Sequence, residues 1–205
     1  FVVRAHVACG ALVALAAACA HSEASTSEQT QSSVESNEPC GGGDRAPDDI
    51  ACTGLYVDVA SKQLSPDARA FAPAVPLWSD GADKSRWIAL PAGTTIDASS
   101  IDDWRFPVGT RAWKEFKVAG KRVETRFMQK VRDDRWVQAS YVWSDDERTA
   151  TRGDGRDIEV NGHPYHVPKS TECDDCHKGR VDRLLGFEAL SLGQAGATGL
   201  TLAAL

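Results

Sequence analysis

The central part of the chain, residues 77 to 167, alternates short β-rich segments with turn residues and contains no long segment of helical periodicity. Strands are predicted where β-branched and aromatic residues cluster between turns. These segments are residues 85–90, 111–118, 122–130, 135–143, 157–160 and 165–167. Turn residues separate them at Ala119-Gly120, at residues 132–134 and at Asn161-Gly162, where hairpins would close. The pattern predicts a mainly β domain, an antiparallel sandwich or open barrel, followed by a short α-helical segment.

Residues 1 to 20 have the pattern of an export signal. Residues 7–20 are almost all Ala, Val and Leu, and Arg4 precedes them. This run is shorter than the ~20 residues that cross a bilayer, as is usual for secretory signals. Its end, LAAACA at residues 15–20, resembles the lipobox of bacterial lipoproteins, with Ala16 where Leu is usual. We expect an exported periplasmic or outer-membrane lipoprotein lipidated at Cys19; cleavage without lipidation is the alternative.

Residues 21 to 50 form a polar, acidic segment. They carry seven acidic residues and one arginine, whereas residues 51–205 carry 22 acidic and 21 basic residues. Too little apolar surface is present to offset the entropy of ordering, which predicts a disordered linker. The nearly neutral remainder has no basic field for nucleic acid. Cys40 and Cys52 flank the entry to the β-rich domain, and in an oxidising compartment we expect a disulfide between them.

Cys173, Cys176 and His177 form C-x-x-C-H, the attachment sequence of c-type haem. Residues i and i+3 of a helix share one face, so two thiols at this spacing can add to the two vinyl groups of one porphyrin. The adjoining imidazole is then placed as the proximal iron ligand. Thr171 and Asp174 have capping-box spacing, and a helix is predicted to continue through residues 181–185 to Gly186. A zinc site would need further ligands, and a thioredoxin-like dithiol would need a βαβ context.

Three residues are candidates for the distal iron ligand. Met128 is the only methionine, and its predicted strand places it on a polar face, where surface exposure is the favoured interpretation. His163 and His166 lie nearer to the motif in sequence, as ligands or as ordinary loop residues. An open or water-bound site is a further alternative.

Two other groups of residues are assigned structural roles. All six tryptophans lie between residues 78 and 143, and we expect them in the core in preference to a sugar-stacking surface. Asp154 and Asp157 lack the ligand spacing of an EF-hand, which favours a solvated turn.

Several ordered segments resemble those of a family of exported, cytochrome-c-like bacterial proteins of uncharacterised role. The segments are residues 76–84 (PLWSDGADK), 86–91 (RWIALP), 104–110 (WRFPVGT), 113–116 (WKEF), 122–126 (RVETR), 167–168 (VP) and 185–187 (LGF), together with the C-x-x-C-H motif. Some relatives are joined to, or encoded beside, quinoprotein sugar-dehydrogenase-type propellers. The resemblance implies a β-rich domain leading into a haem segment, with electron transfer as the activity. It also implies a longer chain with a second motif, so we expect this sequence to be truncated within its haem pocket.

These observations together predict a signal peptide at residues 1–20, a linker at 21–50, a β-rich domain at 51–168 and a partial haem-attachment segment at 169–205. The expected cofactor is haem c, and the expected function is electron transfer for a redox partner such as a periplasmic dehydrogenase. Lipidation would add a membrane anchor. Two alternatives remain: a peroxidase- or oxidase-like haem enzyme with an open distal side, and a β-sandwich glycan-binding module with a structural Cys motif.

Overall fold

A computed structural model describes residues 40, 43–79, 81–101, 103–153, 155–180 and 182–205. All of them belong to one structural unit, residues 36–205. The predicted signal peptide, Cys19 and residues 21–39 of the predicted linker lie outside the described residues, as does Asp154.

Strands are the main secondary structure of the described residues. The strands are β1 (Tyr56–Asp58), β2 (Gln63–Leu64), β3 (Arg69–Ala72), β4 (Asp83–Ala89), β5 (Arg111–Val118), β6 (Lys121–Arg132), β7 (Arg135–Trp143), β8 (Ala150–Gly153), β9 (Arg156–Val160), β10 (His163–Val167) and β11 (Thr198–Gly199). The helices are α1 (Ser170–His177) and α2 (Ala189–Gly193), with 3-10 turns at Ile50–Thr53 and Leu202–Ala204. The prediction of a mainly β domain is therefore confirmed, with 40% strand and 12% helix.

Seven of these strands form one antiparallel sheet in the order β11-β3-β4-β5-β6-β7-β8. The pairs β1-β2 and β9-β10 form separate two-stranded hairpins. The predicted turns explain two of the tight connections. Ala119 and Gly120 have φ of 49° and 79°, and Asn161 and Gly162 have φ of 52° and 78°. Positive φ at both central residues is the geometry that matches the twist of the strands in a two-residue hairpin.

The predicted strands agree with β4 to β7, β9 and β10 to within two residues at each end. Strands β1, β2, β3, β8 and β11 were not predicted from the sequence. These strands have two to four residues each, too few to display an alternating pattern. Their pairing partners elsewhere in the chain decide that they are strands.

The sheet carries apolar side chains on both faces. On the first face, Trp87, Trp113, Phe127 and Ala139 are paired in register across four strands, and the segment containing Ile50 covers them. On the second face, one apolar cluster joins the sheet to residues 104–106 and 184–192, and another joins it to the β9-β10 hairpin. Burial of each large aromatic side chain contributes roughly 1.5–3 kcal/mol.

Five of the six tryptophans are buried, which confirms the core interpretation for them; Trp78 is 80% exposed. Ala46 and Ile50 are also buried, so contacts with the sheet extend into the segment that the sequence analysis assigned to the linker. Among the described residues, no helix has both the length and the apolar character needed to cross a bilayer.

The helical prediction for the C-terminal segment is wrong in its extent. Helix α1 begins at Ser170 and ends at His177, and residues 182–188 are not helical. The cap at the N-terminus of α1 also differs from the predicted pair, Thr171 and Asp174. The observed hydrogen bond joins the Lys169 N–H to Glu172 Oε2 at 2.6 Å. The apolar residues at 184 and 187 are instead buried in the second-face cluster, so tertiary packing replaces the continuous helix.

Candidate functional site

Helix α1 carries the C-x-x-C-H motif and lies on the second face of the sheet. Gln138, which is paired with Met128 on that face, donates from Nε2 to Ser170 O at 2.6 Å and to Asp174 Oδ1 at 2.9 Å. Arg183 Nη1 contacts the same Asp174 carboxylate at 2.5 Å. An isolated helix of eight residues would be marginal in water, and none of its own residues is buried. These polar contacts therefore hold the motif in place.

The two motif thiols are free in the structure. Cys173 is half-buried and Cys176 is exposed. Cys173 Sγ lies 3.7 Å from Lys169 O, and burial raises the pKa of its thiol, with the Arg126 charge acting in the opposite direction. Their i, i+3 spacing on α1 puts both thiols on one side of the helix. Two unbridged thiols on one helical side are what thioether attachment requires.

His177 is oriented by a backbone carbonyl outside the helix. Its Nδ1 lies 2.5 Å from Arg183 O. A carbonyl oxygen only accepts hydrogen bonds, so Nδ1 must carry the proton and donate it. Burial lowers the pKa of His177; the hydrogen bond to Arg183 O acts in the opposite direction, and the charges of Lys114 and Arg126 add to the lowering. The neutral imidazole therefore has its lone pair on Nε2, the tautomer that metal-ligating histidines adopt.

The carbonyl of Arg183 is in turn positioned by its neighbour Asp182, which is 3% exposed. Asp182 Oδ2 accepts the Phe106 N–H at 2.6 Å, and Oδ1 accepts Trp136 Nε1–H at 2.9 Å. Lys130 Nζ lies 2.8 Å from Oδ1 and 2.9 Å from Oδ2, and it also donates to Phe106 O at 2.9 Å. This network was not predicted, because an Asp and a Lys 52 positions apart give no sequence signal of pairing.

Met128 is not surface-exposed, which corrects the interpretation favoured from the sequence. It is half-buried and packs against the second-face cluster that contains Trp136 and Leu184. Its direct neighbour on β7 is Gln138, whose amide contacts α1. The thioether therefore lies on the same sheet face as the motif.

The two candidate histidines lie on the β9-β10 hairpin. His166 is exposed, with Nδ1 2.7 Å from Asp157 and Nε2 3.4 Å from Glu172. Its pKa is raised, chiefly by the hydrogen bond to Asp157. Both ring nitrogens thus face carboxylates. His163 is exposed at the turn, opposite Val160.

Away from the motif, Cys40 and Cys52 are joined by a disulfide whose Cα atoms lie 5.0 Å apart. Asp157, whose predicted role was a solvated turn, pairs with His166 on the neighbouring strand β10. Within the described part of the chain, no three His, Cys, Asp or Glu side chains are grouped so as to hold a metal ion.

Two thiols and an imidazole at this spacing are the donor set that covalent haem attachment uses. Cys173 and Cys176 would hold the porphyrin by thioether bonds, and His177 Nε2 would ligate the iron. No model of a protein family, no curated protein and no solved structure matches this chain.

Proposed function

We propose that this chain is an exported c-type haem protein that transfers electrons at the cell envelope. The observation that carries the proposal is the bond between His177 Nδ1 and Arg183 O, which leaves the lone pair on Nε2, on a helix that also carries two unbridged thiols. The C-x-x-C-H motif is recognised from sequence spacing alone. The orientation of the imidazole adds support, because a Cys-x-x-Cys element with only a structural role would not need it. The haem iron, when bound, takes up and releases one electron.

The roles of the protein residues follow from their contacts. Cys173 and Cys176 anchor the group, and His177 ligates the iron from one side. Asp182 holds the segment whose carbonyl fixes the imidazole tautomer. Among the distal candidates, Met128 is favoured over His166, because Met128 shares the sheet face with α1 and His166 has both nitrogens beside carboxylates.

The same proposal includes the architecture and the cellular setting. The sheet with its β9-β10 hairpin forms an incomplete sandwich or open barrel that leads into a short haem segment. Lipidation at Cys19 would anchor the protein to a membrane, and a periplasmic dehydrogenase would supply its electrons. The glycan-binding alternative is disfavoured because five of the six tryptophans are buried.

The test is expression of the exported chain together with the haem-attachment machinery. Intact-mass measurement should show the addition of one haem, and the reduced protein should show a sharp α-band. The variant Cys173→Ala/Cys176→Ala should lose the covalent group, and His177→Gln should change the spectrum. His21→Gln is the matched histidine control, because His21 lies in the predicted linker and is not a candidate ligand, and it should leave both readouts unchanged. An unmodified mass together with no α-band in the wild type would refute the proposal.

A further inference from the structure

A row of positively charged residues crosses the second face of the sheet. Arg86 on β4 lies directly opposite Lys114 on β5, and Lys114 lies directly opposite Arg126 on β6. Opposite side chains of an antiparallel pair have Cβ atoms about 5 Å apart, and like charges there are destabilising. We call Arg86, Lys114 and Arg126 the cation row.

The carboxylate of Glu124 neutralises one member of the cation row, Arg126. Glu124 is fully buried. Its carboxylate accepts hydrogen bonds from Arg126 Nε at 2.8 Å, from Arg126 Nη2 at 3.1 Å and from Tyr165 Oη at 2.6 Å. No carboxylate among the described residues forms an ion pair with Arg86 or Lys114. Arg86 and Lys114 therefore have no ion-pair partner among the residues that the structure describes.

Burial makes this excess of positive charge costly. Arg86 is 8% exposed, and burial lowers the pKa of its guanidinium. Burial, followed by the charges of Arg86, Arg126 and Lys84, lowers the pKa of Lys114 to about 8, while Glu124 acts in the opposite direction. Lys114 Nζ and Arg126 Cζ lie 4.8 Å and 4.4 Å from the centroid of the Phe116 ring, which offsets part of the cost. Buried cations are otherwise paired in proteins, so the arrangement suits an anionic ligand.

The cation row lies beside the C-x-x-C-H motif. Arg126 and Met128 lie two positions apart on β6 and therefore share a face of the sheet, and Gln138 is the direct partner of Met128 on that face. Because Gln138 contacts α1 through Ser170 O, the helix covers this face next to the row. The ligand of the row would therefore lie close to any group held by α1.

We propose that the cation row is a binding site for carboxylate groups, with Arg86 and Lys114 as its principal contacts. A guanidinium binds a carboxylate through two parallel hydrogen bonds, and an ammonium adds a point charge. Two sources share this chemistry: the two propionates of the haem itself, and a free dicarboxylate. The first source rests on the proposed function, whereas the carboxylate site as such does not.

The test measures thermal unfolding of two full-length proteins in succinate, with chloride added to keep the ionic strength constant. The proteins are the haem-loaded wild type and the haem-free Cys173→Ala/Cys176→Ala variant. If the haem propionates fill the site, succinate raises the Tm of the haem-free variant alone. If a free dicarboxylate is the ligand, both proteins respond. If neither protein responds, the site is refuted. A wild type that acquires no haem but responds to succinate would refute the proposed function and support the site.

Point variants in the haem-free background locate the effect. Arg86→Gln and Lys114→Gln should each weaken succinate binding about 10- to 100-fold, the usual consequence of losing one charged hydrogen-bond partner. Arg69→Gln, an exposed arginine on β3, is the matched control and should bind normally. Lys114→Arg retains the charge and should retain binding. Because removing one of several like charges relieves repulsion, the Gln variants should fold without succinate. Unchanged succinate affinity in both Gln variants would overturn the assignment.

Discussion

Replacing Asp182 by Ala should destabilise the folded chain by about 3–5 kcal/mol, the range for breaking a buried ion pair. The magnitude follows from what the substitution leaves behind. The ammonium of Lys130, which is 4% exposed, would keep Phe106 O as its one remaining hydrogen-bond acceptor among the described residues. The Trp136 Nε1–H and the Phe106 N–H would both lose their acceptor. Each such buried donor costs about 1–3 kcal/mol, so the loss lies at the upper end of the usual effects of point substitutions.

The assay is urea unfolding at pH 7, followed by tryptophan fluorescence, on Asp182→Ala, Lys130→Met and the double variant. The double variant should be more stable than the sum of the two single effects predicts, because it removes both charges together. Asp175→Ala is the control; this Asp on α1 has a side chain 76% exposed and pairs with Lys178 at 3.5 Å, so its loss should change stability by less than about 0.5 kcal/mol. A loss below about 1 kcal/mol for Asp182→Ala would refute the reasoning.

Three further predictions follow from individual residues. Met128→Leu in the haem-loaded protein should lower the reduction potential measured by spectroelectrochemistry, because a thioether ligand raises it, and His163→Gln should not; an unchanged potential in Met128→Leu would exclude the thioether as ligand. Because burial lowers the pKa of Lys114 from 10.5 to about 8, the folded haem-free chain binds fewer protons than the unfolded chain between these pH values. Lys114 should therefore contribute up to ~3 kcal/mol to the free energy of unfolding as pH rises across this window, and urea titrations should show this contribution as the difference between the haem-free chain and its Lys114→Met variant. Cys40→Ser/Cys52→Ser removes a crosslink that spans 12 positions and should lower stability by roughly 2–3 kcal/mol in the same assay, whereas a loss near zero would mean that the crosslink constrains little of the unfolded chain.

The strands that could be predicted are those with a local signal. Residues 111–118 and 135–143 were predicted with their observed bounds, because β-branched and aromatic residues cluster in each segment between turn residues. Short strands such as β3 and β11 form through pairing with distant segments, which a local pattern does not contain. The same limit explains the helix error, since Leu184 and Phe187 are drawn into the second-face cluster at the expense of continued helix.

The candidate site divides in the same way. Cys173, Cys176 and His177 could be recognised because their chemistry depends on a spacing of four residues along one helix turn. The exposure expected for Met128 was wrong, because the sheet face that carries Glu124, Arg126 and Met128 is covered by α1, the β9-β10 hairpin and the C-terminal segment. A strand pattern specifies alternation but not which other segment packs on each face.

The sequence by itself determined that the chain is mainly β, where its longest strands lie, and that a C-x-x-C-H motif follows them, because these properties depend on neighbouring residues. The tertiary structure alone decided that Arg183 O orients His177, that Asp182 is satisfied by Lys130 and Trp136, and that three cations stand side by side next to α1. Each of these contacts joins residues on separate elements. Strand register and packing bring them together, and neither is encoded in local spacing.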